Sequence, residues 1–181
     1  MQSPGQSLTF GRMIADRRTS VAFTGHRTYR GAAADALRRT VGELYARGFR
    51  TFLSGMAVGF DLAAAEAVLE LRERVPGVRL VAAVPFRGQE MRFSPADRER
   101  FRRVLAEADS VEVLAPAYHR GCYAVRNDFL VDNARVLVAW YDGSPGGTRY
   151  TVRRALGRGL EVVNLCPAAP VPPAPEPTLF G

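Results

Sequence analysis

Short apolar runs and longer amphipathic stretches take turns along this chain. Residues 19–24 (TSVAFT) form an apolar run that stops at Gly25, the pattern of a buried strand. Across residues 33–47, Leu37, Val41 and Leu44 recur at helical spacing, and Gly48 follows as a C-terminal stop. Residues 49–54 (FRTFLS) alternate like a strand, and residues 58–74 turn Leu62, Ala65, Val68, Leu69 and Leu71 toward a core as a helix. Residues 78–84 (VRLVAAV) read as a buried strand closed by Pro85, and Pro95 opens a basic helix reaching about residue 108. A short strand at 110–114, a helix at 123–133, a strand at 135–141 (RVLVAWY), a helix at 147–158 and a strand at 160–165 complete the series.

The strands are continuously apolar, as strands buried on both faces must be. The expected fold class is therefore α/β, a three-layer Rossmann-like domain with a mostly parallel central sheet. From Pro167 the sequence PAAPVPPAPEPTLFG is too rich in proline for helix or sheet and reads as an extended tail. The expected organisation is an N-terminal extension over residues 1–18, one domain over 19–166 and a proline-rich tail over 167–181.

Composition narrows the function classes. No apolar run approaches the ~20 residues of a membrane-spanning helix, and the first eighteen residues lack the apolar stretch of a signal peptide. A cytoplasmic protein without membrane partners is expected. Cys122 and Cys166 sit in no CxxC pattern, and the HxxC pair of His119 and Cys122 supplies only two ligands, so no metal is expected. All 25 basic residues are arginine, which excludes the lysines of P-loop, Schiff-base and kinase chemistry. The net charge of +7 favours anionic partners, from nucleotides to nucleic acid.

In open α/β sheets ligands bind beyond the carboxyl ends of the strands. Four loops there are distinctive: 24–27 (TGHR), 54–61 (SGMAVGFD), 85–90 (PFRGQE) and 142–148 (DGSPGGT). Glycine lets a backbone approach an anion, and helix N-termini offer unpaired amides with a favourable dipole. Several such loops at one sheet edge point to a phosphate-bearing ligand. None matches GxGxxG or GxxxxGK[ST], so neither a standard dinucleotide fold nor a P-loop NTPase is expected.

As an ordered set, TGHR, SGMAVGFDLAAAE, VPFRGQE, RNDFLVDNARVLVAWYDG and SPGGTRYTV resemble the YpsA-type branch of the SLOG superfamily, over about residues 20–165. That superfamily also holds the DprA/Smf DNA-processing proteins and the LOG phosphoribohydrolases. The resemblance implies a Rossmann-like fold that binds a nucleotide or nucleotide-derived ligand at its glycine loops, with no required cofactor and no defined reaction. Residues 145–148 (PGGT) are similar to the PGGxGTxxE motif of LOG enzymes, but Thr148 follows the glycine pair directly and the motif's glutamate is missing from the residues after it.

Candidate ligand contacts follow from loop position and this resemblance together. Thr24, Ser54 and Thr148 offer hydroxyls, while Gly25, Gly55, Met56, Gly143, Gly146 and Gly147 offer backbone. His26 and Arg27 offer an imidazole and a planar cation for phosphate. Asp61 either contacts a ribose hydroxyl or simply stabilises its helix N-terminus. Phe86, Glu90, Asn127 and Asp142 complete the candidates; Glu90 equally suits helix capping. Glu66 lies about 140° round the helix from Asp61, so the two form no dyad on one face. It is nonetheless the preferred catalytic carboxylate if the ligand is hydrolysed.

Three functions remain open. The leading one is a nucleotide sensor or carrier. The second is hydrolysis of an N-glycosidic bond, whose oxocarbenium-like transition state needs a carboxylate. The third is single-stranded DNA binding in the manner of DprA. Family analogy adds the expectation of a homo-oligomer.

Overall fold

The alternation of the sequence is the alternation of the structure. A computed structural model describes residues 16–167. Within it run β1 (Ser20–Gly25), α1 (Ala34–Ala46), β2 (Thr51–Ser54), α2 (Phe60–Arg72), β3 (Arg79–Val84), α3 (Pro95–Glu107), β4 (Ser110–Val113), α4 (Cys122–Asp132), β5 (Val136–Trp140), α5 (Gly147–Gly157) and β6 (Glu161–Asn164). The second strand starts later than its alternation suggests because the Phe49 amide still bonds Leu44 O at the close of α1.

All five strand pairings are parallel, so the mostly parallel sheet expected is wholly parallel here, in the order β4-β3-β2-β1-β5-β6. Side chains of one strand alternate between two cores. Val21 and Phe23 of β1 join the layer of α1, α2 and α3, whereas Ala22 joins that of α4 and α5. Helices cover both faces, which is why the strand interiors are mainly apolar and their polar residues stand mostly at or near strand ends.

The chain starts at β1, works outward to β4, then crosses back to lay β5 against β1's other side. This reversal opens a crevice at the carboxyl ends of β1 and β5, because the loops that follow them depart toward opposite faces. The extension expected over 1–18 and the tail over 167–181 lie largely outside the described residues. The last part of the extension is docked: Arg17–Thr19 form a short 3-10 turn, and Arg17 Nε donates to Ala134 O at 2.9 Å. No helix among the described residues is long and apolar enough to cross a membrane.

Candidate functional site

A cleft of about 560 Å³ occupies the crevice, within the range of small-molecule sites. Thr24, Gly25, His26 and Arg27 wall it from β1, Ala57 and Asp61 from the entry to α2, and Asp142, Ser144, Gly147 and Thr148 from the entry to α5. The first turns of α4 add Tyr123, Arg126 and Asn127. The three helices that begin here, α2, α4 and α5, have glycine N-caps with no side-chain hydrogen bond, namely Gly59, Gly121 and Gly146. By contrast α3, which lines no part of the cleft, is capped by Ser94 accepting from the Asp97 amide. Uncapped N-termini leave amide donors for an anion, most fully at α5, since the Phe60 and Leu62 amides of α2 and the Cys122 amide of α4 already bond His26 O, Ala57 O and His119 O.

Close packing explains two of the glycines. A Cβ on Gly25 would lie 2.4 Å from Phe60 Cβ. Gly59 takes φ +84°, and a Cβ there would come within 2.6 Å of His26 O. That carbonyl accepts from the Tyr29 and Phe60 amides, at 3.2 and 3.4 Å, and so clasps the β1 loop to the start of α2.

Asp61 and Arg126 meet under the floor. Both are buried, at 4% and 7% exposure, and a Cβ on Gly55 would fall 2.7 Å from Asp61 Oδ2 and 2.9 Å from Arg126 Nη1. Burial pushes the Asp61 carboxyl up to about 6, opposed first by the Arg126 charge and then by the Ala57 and Gly25 amides. Burial likewise draws the Arg126 guanidinium below its ordinary value, against the pull of Asp61. Arg126 donates to Gly55 O and, through Nε, to Asn127 Oδ1 at 2.7 Å. Asp61 Oδ2 accepts from the Ala57 amide at 3.4 Å, while the buried Oδ1 has no hydrogen-bond partner among the described residues.

At the opposite wall His26 Nε2 lies 2.7 Å from Asp142 Oδ1 and 3.2 Å from the Asp142 amide. Asp142 is held below the usual carboxylate range chiefly by the Ser144 hydroxyl and amide, with His26 adding to them.

Several sequence candidates sit elsewhere. Ser54 is fully buried, its Oγ donating to Asp61 O and accepting from the Met56 amide, so it braces the loop instead of facing the cleft. Met56 is buried too and holds a left-handed φ of 58°, uncommon for a side chain of its bulk. Phe86 packs on Ala115 and Cys122, Glu90 lies in a 3-10 turn (Gln89–Arg92), and Gly143 and Gly146 shape the turn before α5; none of these four lines the cleft.

Glu66 points away from the cleft. It forms a two-pronged ion pair with Arg100 of α3 (2.9 and 2.8 Å) and a third bond to Arg103 at 2.8 Å. It lines instead a separate hollow of about 690 Å³ among α1, α2 and α3. The 140° that separates it from Asp61 round the helix puts it against a neighbouring helix, and the cleft's buried carboxylate is Asp61. The motif reading passed over Arg126 and Tyr123. The signal for Arg126 was its place in CYAVRNDFLV, where a cation follows apolar residues one turn into a helix.

Comparisons with known proteins agree with this architecture. UPF0398 proteins of Bacillus thuringiensis (strain Al Hakam) and Bacillus cereus (strain G9842) are 29% and 28% identical over 132 and 137 residues, covering 71% and 74% of this chain and equal shares of their own. The DNA processing protein A (DprA) of Streptococcus pneumoniae superposes with a TM-score of 0.58 at 19% identity, over 79% of this chain and 48% of that one. DprA of Helicobacter pylori, described for its single-stranded DNA binding mode, gives 0.54 at 16% identity, over 79% of this chain and 64% of that one. The chain thus spans about half to two thirds of these DprA chains, and the likeness is one of fold. Residues 22–159, which run from within β1 to the end of α5 and carry every wall of the cleft, match the YspA SLOG family as a unit, and the chain belongs to that family.

Proposed function

We propose that the cleft binds a nucleotide or nucleotide-derived ligand through its phosphate, as a sensor or carrier. The carrying observation is the convergence of three uncapped helix N-termini on one crevice beside a buried arginine. First-turn amides of α5, with those of α4 not already bonded, take phosphate oxygens, Arg27 and Arg126 supply charge, and Asp61 accepts from a hydroxyl or amine of the ligand.

The test is a thermal-shift panel of AMP, ADP, ADP-ribose, NAD and cyclic dinucleotides, with ligand masses read afterwards. At 100 times its Kd a ligand adds about 2.7 kcal/mol, which raises Tm by roughly 5–10 °C for a chain of this size. The expected result is such a rise with the ligand intact, and a smaller rise for His26→Ala. No shift with any member of the panel overturns the reading.

Hydrolysis is the second reading, and the buried Asp61 favours it: a carboxyl pushed up to about 6 is poised for proton transfer near neutrality. A cleaved ligand in the same wells would replace the sensor by a hydrolase centred on Asp61. A single DNA strand presents the same phosphate chemistry, and the described binding of Helicobacter pylori DprA brings it into consideration here.

A further inference from the structure

Beside the cleft lies a smaller annex, walled in part by three of the loops that border the sheet edge. It is a hollow of about 180 Å³ whose walls include Arg27, Val58, Gln89, Arg92 and Tyr123. Arg27 and Tyr123 also wall the cleft, so the two spaces share a boundary. The annex alone is below the roughly 300 Å³ of a self-standing small-molecule site. It suits one part of a ligand whose remainder occupies the cleft.

Its chemistry is that of a planar, polar heterocycle next to an anion. Tyr118, 53% exposed, is not itself a wall but adjoins two of them: it lies 6.3 Å from Tyr123 between ring centroids, and the Arg92 guanidinium stands 5.4 Å over the Tyr118 ring. Tyr123 is flanked in turn by Arg27 at 5.7 Å and Arg126 at 5.9 Å. Aromatic rings interleaved with arginines are what stack a base and hold its phosphate. The one carboxylate of the wall, Asp97, is engaged by Arg100 and Ser94, so the annex is net cationic.

Gln89 supplies an independent observation. It is 2% exposed, and its Nε2 donates to Met56 O at 2.8 Å, which fixes the orientation of the amide. Oε1 is left as a buried acceptor without a partner among the described residues. Such an acceptor is costly until a donor reaches it, and the annex is the side from which an N–H can come.

We infer that the annex is a second base subsite, so that the ligand carries two nucleobases joined through phosphate. One base sits in the cleft, the phosphate lies at Arg27, and the second base stacks on the Tyr118–Tyr123 edge with an N–H toward Gln89. This rests on the nucleotide reading of the cleft. A free dinucleotide and a single nucleic-acid strand share this chemistry.

Calorimetric titration of the full chain tests it with three probe sets: the four deoxynucleoside monophosphates, NAD with a pool of all deoxydinucleotides, and a mixed-sequence strand of about a dozen nucleotides. Two-base probes should bind about tenfold or more tightly than mononucleotides, the scale of one added stack. Tyr118→Ala and Arg92→Ala, both at exposed positions, should remove most of that advantage and leave mononucleotide affinity unchanged, and Tyr118→Trp should restore it. Loss confined to the long strand identifies nucleic acid as the source, and loss already seen with dinucleotides identifies a free ligand. Equal affinity for one-base and two-base probes, or equal loss for both in Tyr118→Ala, overturns the annex while the cleft reading stands. If nothing binds, the cleft reading falls, and the annex falls with it.

Discussion

Asp61 combines three properties that seldom coincide: a first-turn position, near-complete burial and an oxygen without a hydrogen-bond partner among the described residues. An acid whose carboxyl is pushed up to about 6 in the folded state, from an ordinary value near 3.8, holds its proton more tightly folded than unfolded. Its contribution to stability is therefore fully present below about pH 4 and is lost as pH rises through about 6. The difference amounts to about 3 kcal/mol, at 1.36 kcal/mol for each pKa unit. Chemical unfolding across pH 4–7 should show this decline in the parent chain and a flatter profile in Asp61→Asn. Parallel profiles would mean that Asp61 is not the buried titrating group. The aspartate itself was legible in the sequence, since a carboxylate just after a glycine loop marks a helix start. Its burial was not, because that depends on Gly55 lacking a side chain and on Arg126 arriving from a distant helix. The same reason hid the fate of Ser54, whose hydroxyl looked available in a loop but is consumed by Asp61 O and the Met56 amide.

Among the elements, α2 serves two masters. Its first turn faces the cleft, and the following turn packs on α3 through Glu66, Arg100 and Arg103. These side chains are 28%, 32% and 55% exposed, so the cluster contributes on the scale of surface and half-buried pairs. Glu66→Gln should cost about 1 kcal/mol, a fall in Tm of roughly 2–4 °C, with ligand affinity and any turnover untouched. A variant of parental stability that has lost turnover would restore Glu66 as a catalytic group. Helical phase alone separated Glu66 from Asp61, but it could not say which of the two faced the ligand. Elements themselves were readable because apolar runs and 3.6-residue spacing report burial directly. The 3-10 turn Gln89–Arg92 was not, since its short length carries no periodicity and its anchor, Gln89 to Met56 O, is a tertiary contact.

For the molecule as a whole, the strand order decides where chemistry can occur, and the charge of +7 decides what is drawn there. Pairing inside the fold leaves that net charge unchanged but decides which arginines are free to show it: Arg38, Arg47, Arg72, Arg100, Arg103, Arg154 and Arg158 each hold a carboxylate. Arg27 instead stands over Tyr123 at the shared boundary of cleft and annex, and Arg92, a wall of the annex, stands over Tyr118, with Arg126 on the cleft side. A strand neutralised at about three phosphates by these arginines should lose affinity with a slope near −2 in log K against log salt, at about −0.7 per phosphate. Between 50 and 200 mM salt that is roughly a twentyfold loss. Arg27→Ala and Arg92→Ala should each flatten the slope by about 0.7, whereas replacing an arginine already paired within the fold, such as Arg158→Ala, should leave it unchanged. Fluorescence anisotropy of a labelled strand across that salt range reads all three variants. If Arg158→Ala flattened the slope as much as Arg92→Ala, the strand would be held by the diffuse charge of the surface, and the crevice would have no special claim on it.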